Sequence, residues 1–528
     1  MPARIRLNDE NRKWWTLAAM CFALFMVMLD NTVVNVALPS IQEDLGASLS
    51  ALEWTVNAYT LTFAVLLVTG GRLGDVFGRR RMFLFGVVVF AVSSAAIGLA
   101  PTQGWLVAGR AVQGVGAAFM MPGTLSIISN TFPPHERGRA IGTWAGVSAL
   151  ALALGPVVGG ALAEHVSWRA IFFLNLPVAA GAVVVTLFAA RESYDRTVSR
   201  AVDYAGIATI SLGLTALVLA LVEGNQWGWG SPEILALFGT AAIGLGAFAW
   251  VELRGRAPMV EFAYFRSRSF LGANAVAFVV SFAMLAMFFF MALYMQNVLG
   301  YSPLEAGIRF LPSTVVIIFT APIAGRLADR IGPRPLMTAG LAFVALALWM
   351  QSRVTVDTTY ADLLASFSIM GLGMGLTMSP MSTAAMNAVS ADKAGAASGI
   401  LSMFRMVGGT FGVAAIGALF QSLARDRVGE AAQAAGLPAS MEHELVENLG
   451  SGRLEGIGHQ LDPAAAERLA DGMREAFVHA LGGALTLSAT VAAVGAVIAM
   501  ALVEPKRARR PDEVAPPPEA VAEPAGAQ

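Results

Sequence analysis

The run "FMVMLDNTVVNVALP", residues 25–39, sets Asp30 inside an apolar stretch that begins at Trp14. A charge in hydrocarbon costs several kcal/mol unless it is paired or faces a wet cavity. Sixteen residues of helix place Asp30 roughly 24 Å from the start of the stretch. Arg110, in "LVAGRAVQGVGA", falls at a similar depth if neighbouring helices alternate in direction. Two chemistries fit. One is a fixed ion pair. The other is a carboxylate that trades a proton for a substrate as a cavity goes from wet to closed. Desolvation favours the protonated carboxyl and a nearby guanidinium favours the carboxylate, so a change of shape can tip the balance.

Two further charges lie within apolar runs. Arg309 is near the outer end of its run and can snorkel. Arg405, in "LSMFRMVGGTFG", lies about 10 Å from the inner end of its run. It either lines a cavity or pairs with an acid elsewhere. Met370, Met374 and Met378 repeat on one helical face. That stripe is either packing or an adaptable wall for varied apolar substrates. The five histidines (His135, His165, His443, His459 and His479) are scattered, with no metal-ligand spacing, and no cofactor or metal is expected. A membrane-embedded enzyme is the rival class. It would need convergent polar groups such as a Ser–His–Asp set or a phosphate loop, and neither pattern is visible.

The 528 residues are 56% hydrophobic and 13% charged, with a mean hydropathy of +0.64. Soluble domains are about 45–50% apolar and about 25% charged. A net charge of −1 lacks the basic field that nucleic acid requires. Cys21 is the single cysteine, so no intrachain disulfide forms. The stretch 14–38 is too long for a signal-peptide core and lacks a small-residue cleavage site, so it reads as a first span that is kept.

Runs long enough to cross a bilayer core occur at 14–38, 52–71, 82–100, 105–128, 140–163, 171–190, 203–222, 234–253, 270–294, 306–325, 335–351, 362–386, 398–420 and 477–503. With the N-terminus inside, the inner segments hold 25 Lys and Arg and the outer ones hold 7, of which 5 lie in the long loop 421–476. The bias predicts both termini in the cytoplasm. Loop 421–476 is expected to form a small amphipathic cap outside, with a periplasmic partner as an open alternative. The Pro-, Ala- and Glu-rich segment 504–528 is expected to be a disordered tail.

"GRLGDVFGRR" (71–80) and "GRLADRIGPR" (325–334) match at six of ten positions. The repeat predicts an all-α membrane protein of fourteen helices, with two six-helix halves (14–190 and 270–503) and a two-helix insert (203–253) between them. An Asp near a helix end can take free N–H groups or pair with Arg. Gly71, Gly74 and Gly78 permit close backbone approach.

Gly71, Leu73, Gly74, Asp75, Gly78, Arg79 and Arg80 resemble the cytoplasmic loop signature of the major facilitator superfamily. Arg110, Gln113 and Gly114 look like its fourth-helix motif. Gly146 with Gly155, Pro156, Gly159 and Gly160 is similar to the fifth-helix motif of its antiporters. "LDNTVVNVALP" and "WRAIFFLNLP" resemble segments of the fourteen-span drug:proton antiporters. The resemblance covers residues 14–420 and the last span. It implies a secondary transporter of the plasma or inner membrane that exports hydrophobic or amphipathic compounds against protons. The alternative is a dedicated exporter of one natural metabolite or antibiotic, or a uniporter.

The resemblance further implies that Asp30 couples protons, with Arg110 and Gln113 beside it and Asn57 where some relatives carry a second acid. It implies a cytoplasmic latch of Asp75 with Arg79 or Arg80, and a weaker one of Asp329 with Arg330 or Arg334. It also implies a bend at Gly155-Pro156 that seals the halves against proton leak.

Overall fold

A computed structural model describes residues 8–47, 49–195, 203–255, 258–435, 437, 445 and 463–505. Every regular element among them is helical. The long helices are α1 (Asp9–Leu45), α2 (Leu49–Phe77), α3 (Arg79–Gly98), α4 (Gln103–Thr131), α5 (Arg137–His165), α6 (Trp168–Ala189), α7 (Tyr204–Trp227), α8 (Pro232–Arg254) and α9 (Arg268–Asn297). They continue with α10 (Pro303–Arg309), α11 (Leu311–Ile331), α12 (Pro333–Gln351), α13 (Tyr360–Asn387), α14 (Ala394–Ala434) and α15 (Pro463–Leu502). Thirteen spans are long and apolar enough to cross a membrane, with α10 and α11 forming one of them. The 29-residue α5 is of similar length and packs between α1 and α11. Counted with it, the spans number fourteen among the described residues, each on a run marked out by hydropathy.

Several boundaries follow from local chemistry. Ser167, Ser231 and Ser267 accept a backbone N–H with their hydroxyls at the starts of α6, α8 and α9. Ser302 and Glu305 form a reciprocal capping box at α10. Phe310 and Pro312 then break that span in two.

The packing repeats. In the first half α1 packs on α5 and α6, α4 on α2 and α3, and α3 on α6. In the second half α9 packs on α14 and α15, α13 on α11 and α12, and α12 on α15. These are the same five pairings in the same order, as the repeated loop predicts. The halves meet along two seams, α2 with α14 and α5 with α11. The insert pairs α7 with α8, and α7 also lies against α2 and α14 at one seam.

The expected cap between 421 and 476 differs in part. α14 runs on to Ala434 with Ala424, Val428, Ala431 and Ala432 buried. α15 begins at Pro463, with Leu469, Met473 and Phe477 in the core. The ends of the expected loop are thus extensions of two membrane helices, because their buried apolar faces continue the same packing. Apart from 437 and 445, the segment 436–462 lies outside the described residues, as does the tail beyond 505.

Candidate functional site

Asp30 is 2% exposed and Arg110 is 1% exposed. An Arg110 guanidinium nitrogen stands 2.5 Å from one Asp30 oxygen. The other Asp30 oxygen accepts from Gln113 Nε2 and Asn175 Nδ2, each at 3.0 Å. Arg110 also donates to Gln113 Oε1 at 2.6 Å and to the Thr55 carbonyl at 3.0 Å. Its guanidinium lies over the Tyr59 ring, 4.3 Å from the centroid. Ser94 Oγ accepts from both Gln113 and Asn175.

Five helices of one half thus converge on a single carboxylate, and both oxygens are occupied. A buried charge is tolerable only with such saturation. Asn57 takes no part in this cluster. Thr55 and Tyr59 are four residues apart and share a face of α2, whereas Asn57, between them, lies roughly 200° round the helix. Asn175 and Ser94 are the partners that sequence reasoning missed. Each is a polar residue inside an apolar run, and Asn175 sits within "WRAIFFLNLP" itself. That was the available signal.

The second site lies at the end of the bundle where α2 and α11 finish. Asp75 is fully buried and Arg79 is 1% exposed. Arg79 grips one Asp75 oxygen with two nitrogens, at 2.8 and 2.5 Å. Across the seam, the N–H groups of Gly395 and Ala396 donate to Asp75 at 2.9 and 2.7 Å. These belong to the second and third residues of α14, where helical N–H groups have no intrahelical partner. Arg79 also donates to the Asp392 carbonyl. Gly71 allows this approach, because a side chain there would strike the Gly395 carbonyl oxygen.

Arg80 points elsewhere. Its guanidinium donates to the Leu187 carbonyl and its N–H to Glu192. Gly78, at φ 111°, turns the chain from α2 into α3. The structure therefore selects Arg79 of the two expected partners.

Asp329 repeats the helix-start part of this device. Its carboxylate accepts the N–H groups of Gly138 and Arg139 at 3.0 and 3.2 Å. These again are the second and third residues of a helix in the opposite half, α5. Gly332, at φ 89°, makes the matching turn. Arg330 is exposed on the last turn of α11, and Arg334 is half-buried in the first turn of α12.

The fifth-helix glycines pack differently from expectation. Gly155 and Gly159 lie against Thr32 and Val33 of α1, within the same half. The close approaches across the α5–α11 seam are made by Gly138, Gly142 and Gly146. Gly160 is half-buried, and Pro156 lies within α5, which continues unbroken from Arg137 to His165. The tight packing is present, and the close contacts between the halves lie nearer the start of α5. Met370 and Met374 belong to the core and only Met378 is half-buried, so most of that stripe is packing. Arg309 stacks on Tyr301 and lies near Tyr360.

On the opposite end of the first half, Asp44 accepts from Trp168 Nε1 at 3.1 Å and from Arg169 at 2.5 Å. The Arg169 hydrogen bond holds the Asp44 carboxyl below its usual range. Lys13 likewise holds Glu136 low, by a 2.6 Å contact that ties α1 to the α4–α5 connection.

Two pseudo-repeated helical bundles that meet at helix-end contacts, one of them holding a buried carboxylate, have the architecture of a membrane transporter. Residues 20–413 match the family model described as Major Facilitator Superfamily, and the chain belongs to that family of transporters. It is 34% identical over 509 residues to the tetracenomycin C resistance and export protein of Streptomyces glaucescens, covering 96% of this chain and 94% of that one. It is 38% identical over 405 residues to the multidrug resistance protein Stp of Mycobacterium tuberculosis, covering 76% and 75%. Among solved structures, the proton:xylose symporter XylE superposes with a TM-score of 0.61 at 12% identity, over 94% of this chain and 97% of that one. The last likeness concerns the fold.

Proposed function

We propose that the chain is a proton-driven exporter of hydrophobic or amphipathic compounds, working by alternating access of its two halves. Asp30 carries the reading. Its carboxylate is the acceptor on which Arg110, Gln113 and Asn175 all rest. Protonation removes the charge that holds Arg110 and frees the cluster to rearrange. A proton arriving from outside supplies about 1.4 kcal/mol per pH unit of gradient. It adds about 2.3 kcal/mol per 100 mV of potential.

The Asp75 and Asp329 contacts act as the cytoplasmic latch, closed here, so this arrangement is the outward-facing one. The Lys and Arg bias supports placing both termini in the cytoplasm and the protein in the plasma membrane. The functional divisions are 14–190, 203–253 and 270–503. A second reading, a dedicated exporter of one natural product, is favoured by the near full-length similarity to the tetracenomycin C exporter.

Proteoliposomes carrying an internal pH dye test this reading, with tetracenomycin C as the probe. The native chain is expected to move protons when a probe is added, and Asp30→Asn is expected to lose at least nine-tenths of that signal. Full coupling in Asp30→Asn would overturn the assignment of the site.

A further inference from the structure

Arg405 is the mid-membrane charge that the Asp30 cluster and the helix-end contacts leave unexplained. It lies eleven residues into α14, roughly 17 Å from its start. Counted from the start of the apolar run at 398 it is about 10 Å in, inside a bilayer core of about 30 Å. Its direction follows from the helix itself. Ser398, seven residues earlier on nearly the same stripe, donates its hydroxyl proton to the Pro122 carbonyl of α4. Gly412, seven residues later, is pressed against Phe282 of α9. Arg405 therefore faces inward, between α4 of one half and α9 of the other.

There it is half-buried, and it makes no hydrogen bond or ion pair among the described residues. Met403, Phe404, Met406 and Val407 around it in the chain are all half-buried and apolar. The other inward charges are spoken for. Both Asp30 oxygens are taken, and Asn57 offers no second acid. A guanidinium without a counter-charge is costly in this setting, and it stays charged at any physiological pH.

We propose that Arg405 is the substrate's counter-charge, and that the protein takes amphiphiles with an apolar ring body and an anionic group, a carboxylate or an acidic phenol. This deepens the exporter reading and rests on it. Guanidinium binds a carboxylate through two parallel N–H donors, so both charge and shape are selected. An unpaired cation in the same place repels cationic drugs.

Binding to the full chain in lipid nanodiscs, with no proton gradient, tests this. The probes share one apolar body: 1-pyrenebutyric acid, its methyl ester and 1-pyrenebutylamine. The acid is expected to bind at least tenfold tighter than the ester, and the amine more weakly than the ester. In Arg405→Gln the acid-to-ester ratio is expected to fall to near one while ester binding persists. If Arg405→Gln also loses ester binding, Arg405→Met, of similar length and without polar atoms, is read in the same way. Equal binding of acid and ester by the native chain, no binding of any probe, or an unchanged ratio in the folded variant overturns the proposal. The two readings fail separately. Acid preference without acid efflux from energised vesicles breaks the exporter reading, and efflux without acid preference breaks the anion site.

Discussion

Asp75 and Asp329 occupy the same place in two copies of one loop, and each caps a helix of the opposite half. Asp75 is fully buried and gripped by Arg79, while Asp329 is half-buried and rests on backbone N–H groups of α5. One sequence difference between the copies falls at the position of Arg79. The residue that corresponds to Arg79 in the second copy is Pro333. Proline has no guanidinium to offer, but it suits the first position of α12. The shared part of the device, carboxylate on helix start, comes from the loop and its positive-φ glycine. The unequal part is the depth of burial and the bidentate grip of Arg79. One seam is therefore expected to be strong, and the other weak enough to open first.

Removing Asp75 tests the strong seam. Asp75→Asn leaves Arg79 buried without its counter-charge, and breaking such a pair costs about 3–5 kcal/mol. Spin-label distances between the helix ends at residues 77 and 391 should lengthen and become heterogeneous, with export reduced at least tenfold. An unchanged distance distribution would show that the ion pair does not hold the seam.

The weak seam should respond less. Asp329→Asn removes a carboxylate from the start of α5, an effect of about 1 kcal/mol. A several-fold loss of export is expected, read in the same vesicles. If Asp329→Asn proves as damaging as Asp75→Asn, the asymmetry argument fails.

Pro333→Arg asks whether Arg79 alone makes the difference. It should place a guanidinium at the position that matches Arg79, slow turnover by two- to threefold and raise the thermal midpoint slightly. A lower midpoint would mean that proline's fit at the helix start outweighs the new pair.

The smallest effect belongs to Glu136. Its carboxyl is held below the ordinary 4.5 by Lys13. A group lowered in the folded state contributes stability above its unfolded value and loses it as pH falls through the folded one. Glu136→Gln should fall slightly short of the native chain in thermal midpoint at pH 7, and the gap should close as pH falls below the ordinary 4.5 of the carboxyl. A constant difference across that range would assign the contact no electrostatic role.

Much of this was legible in the chain. Hydropathy marked every span, and the repeated decapeptide announced two halves. Counting residues placed Asp30 and Arg110 at one depth, and they touch. Gln113 followed from its motif. What stayed hidden depended on rotation and partner. Asn57 has the right depth, but Thr55 and Tyr59 are the α2 residues that face the cluster. Asn175 and Ser94 read as stray polar residues until α3 and α6 close on α1. Gly155 and Gly159 have the spacing for tight contact, but spacing does not say which helix arrives. At the seam between halves the close approaches are those of Gly138, Gly142 and Gly146.

The amino-acid order by itself determined which segments leave water for lipid. Transfer of a residue into hydrocarbon is a local property, and it adds up along twenty neighbours. Only the tertiary structure decided where each charge finds its opposite. Asp75 is satisfied by N–H groups 320 and 321 residues further on, and Asp30 by a side chain 145 residues away. Such pairings depend on helix rotation and on which bundle faces which, and neither is written into any window of the chain.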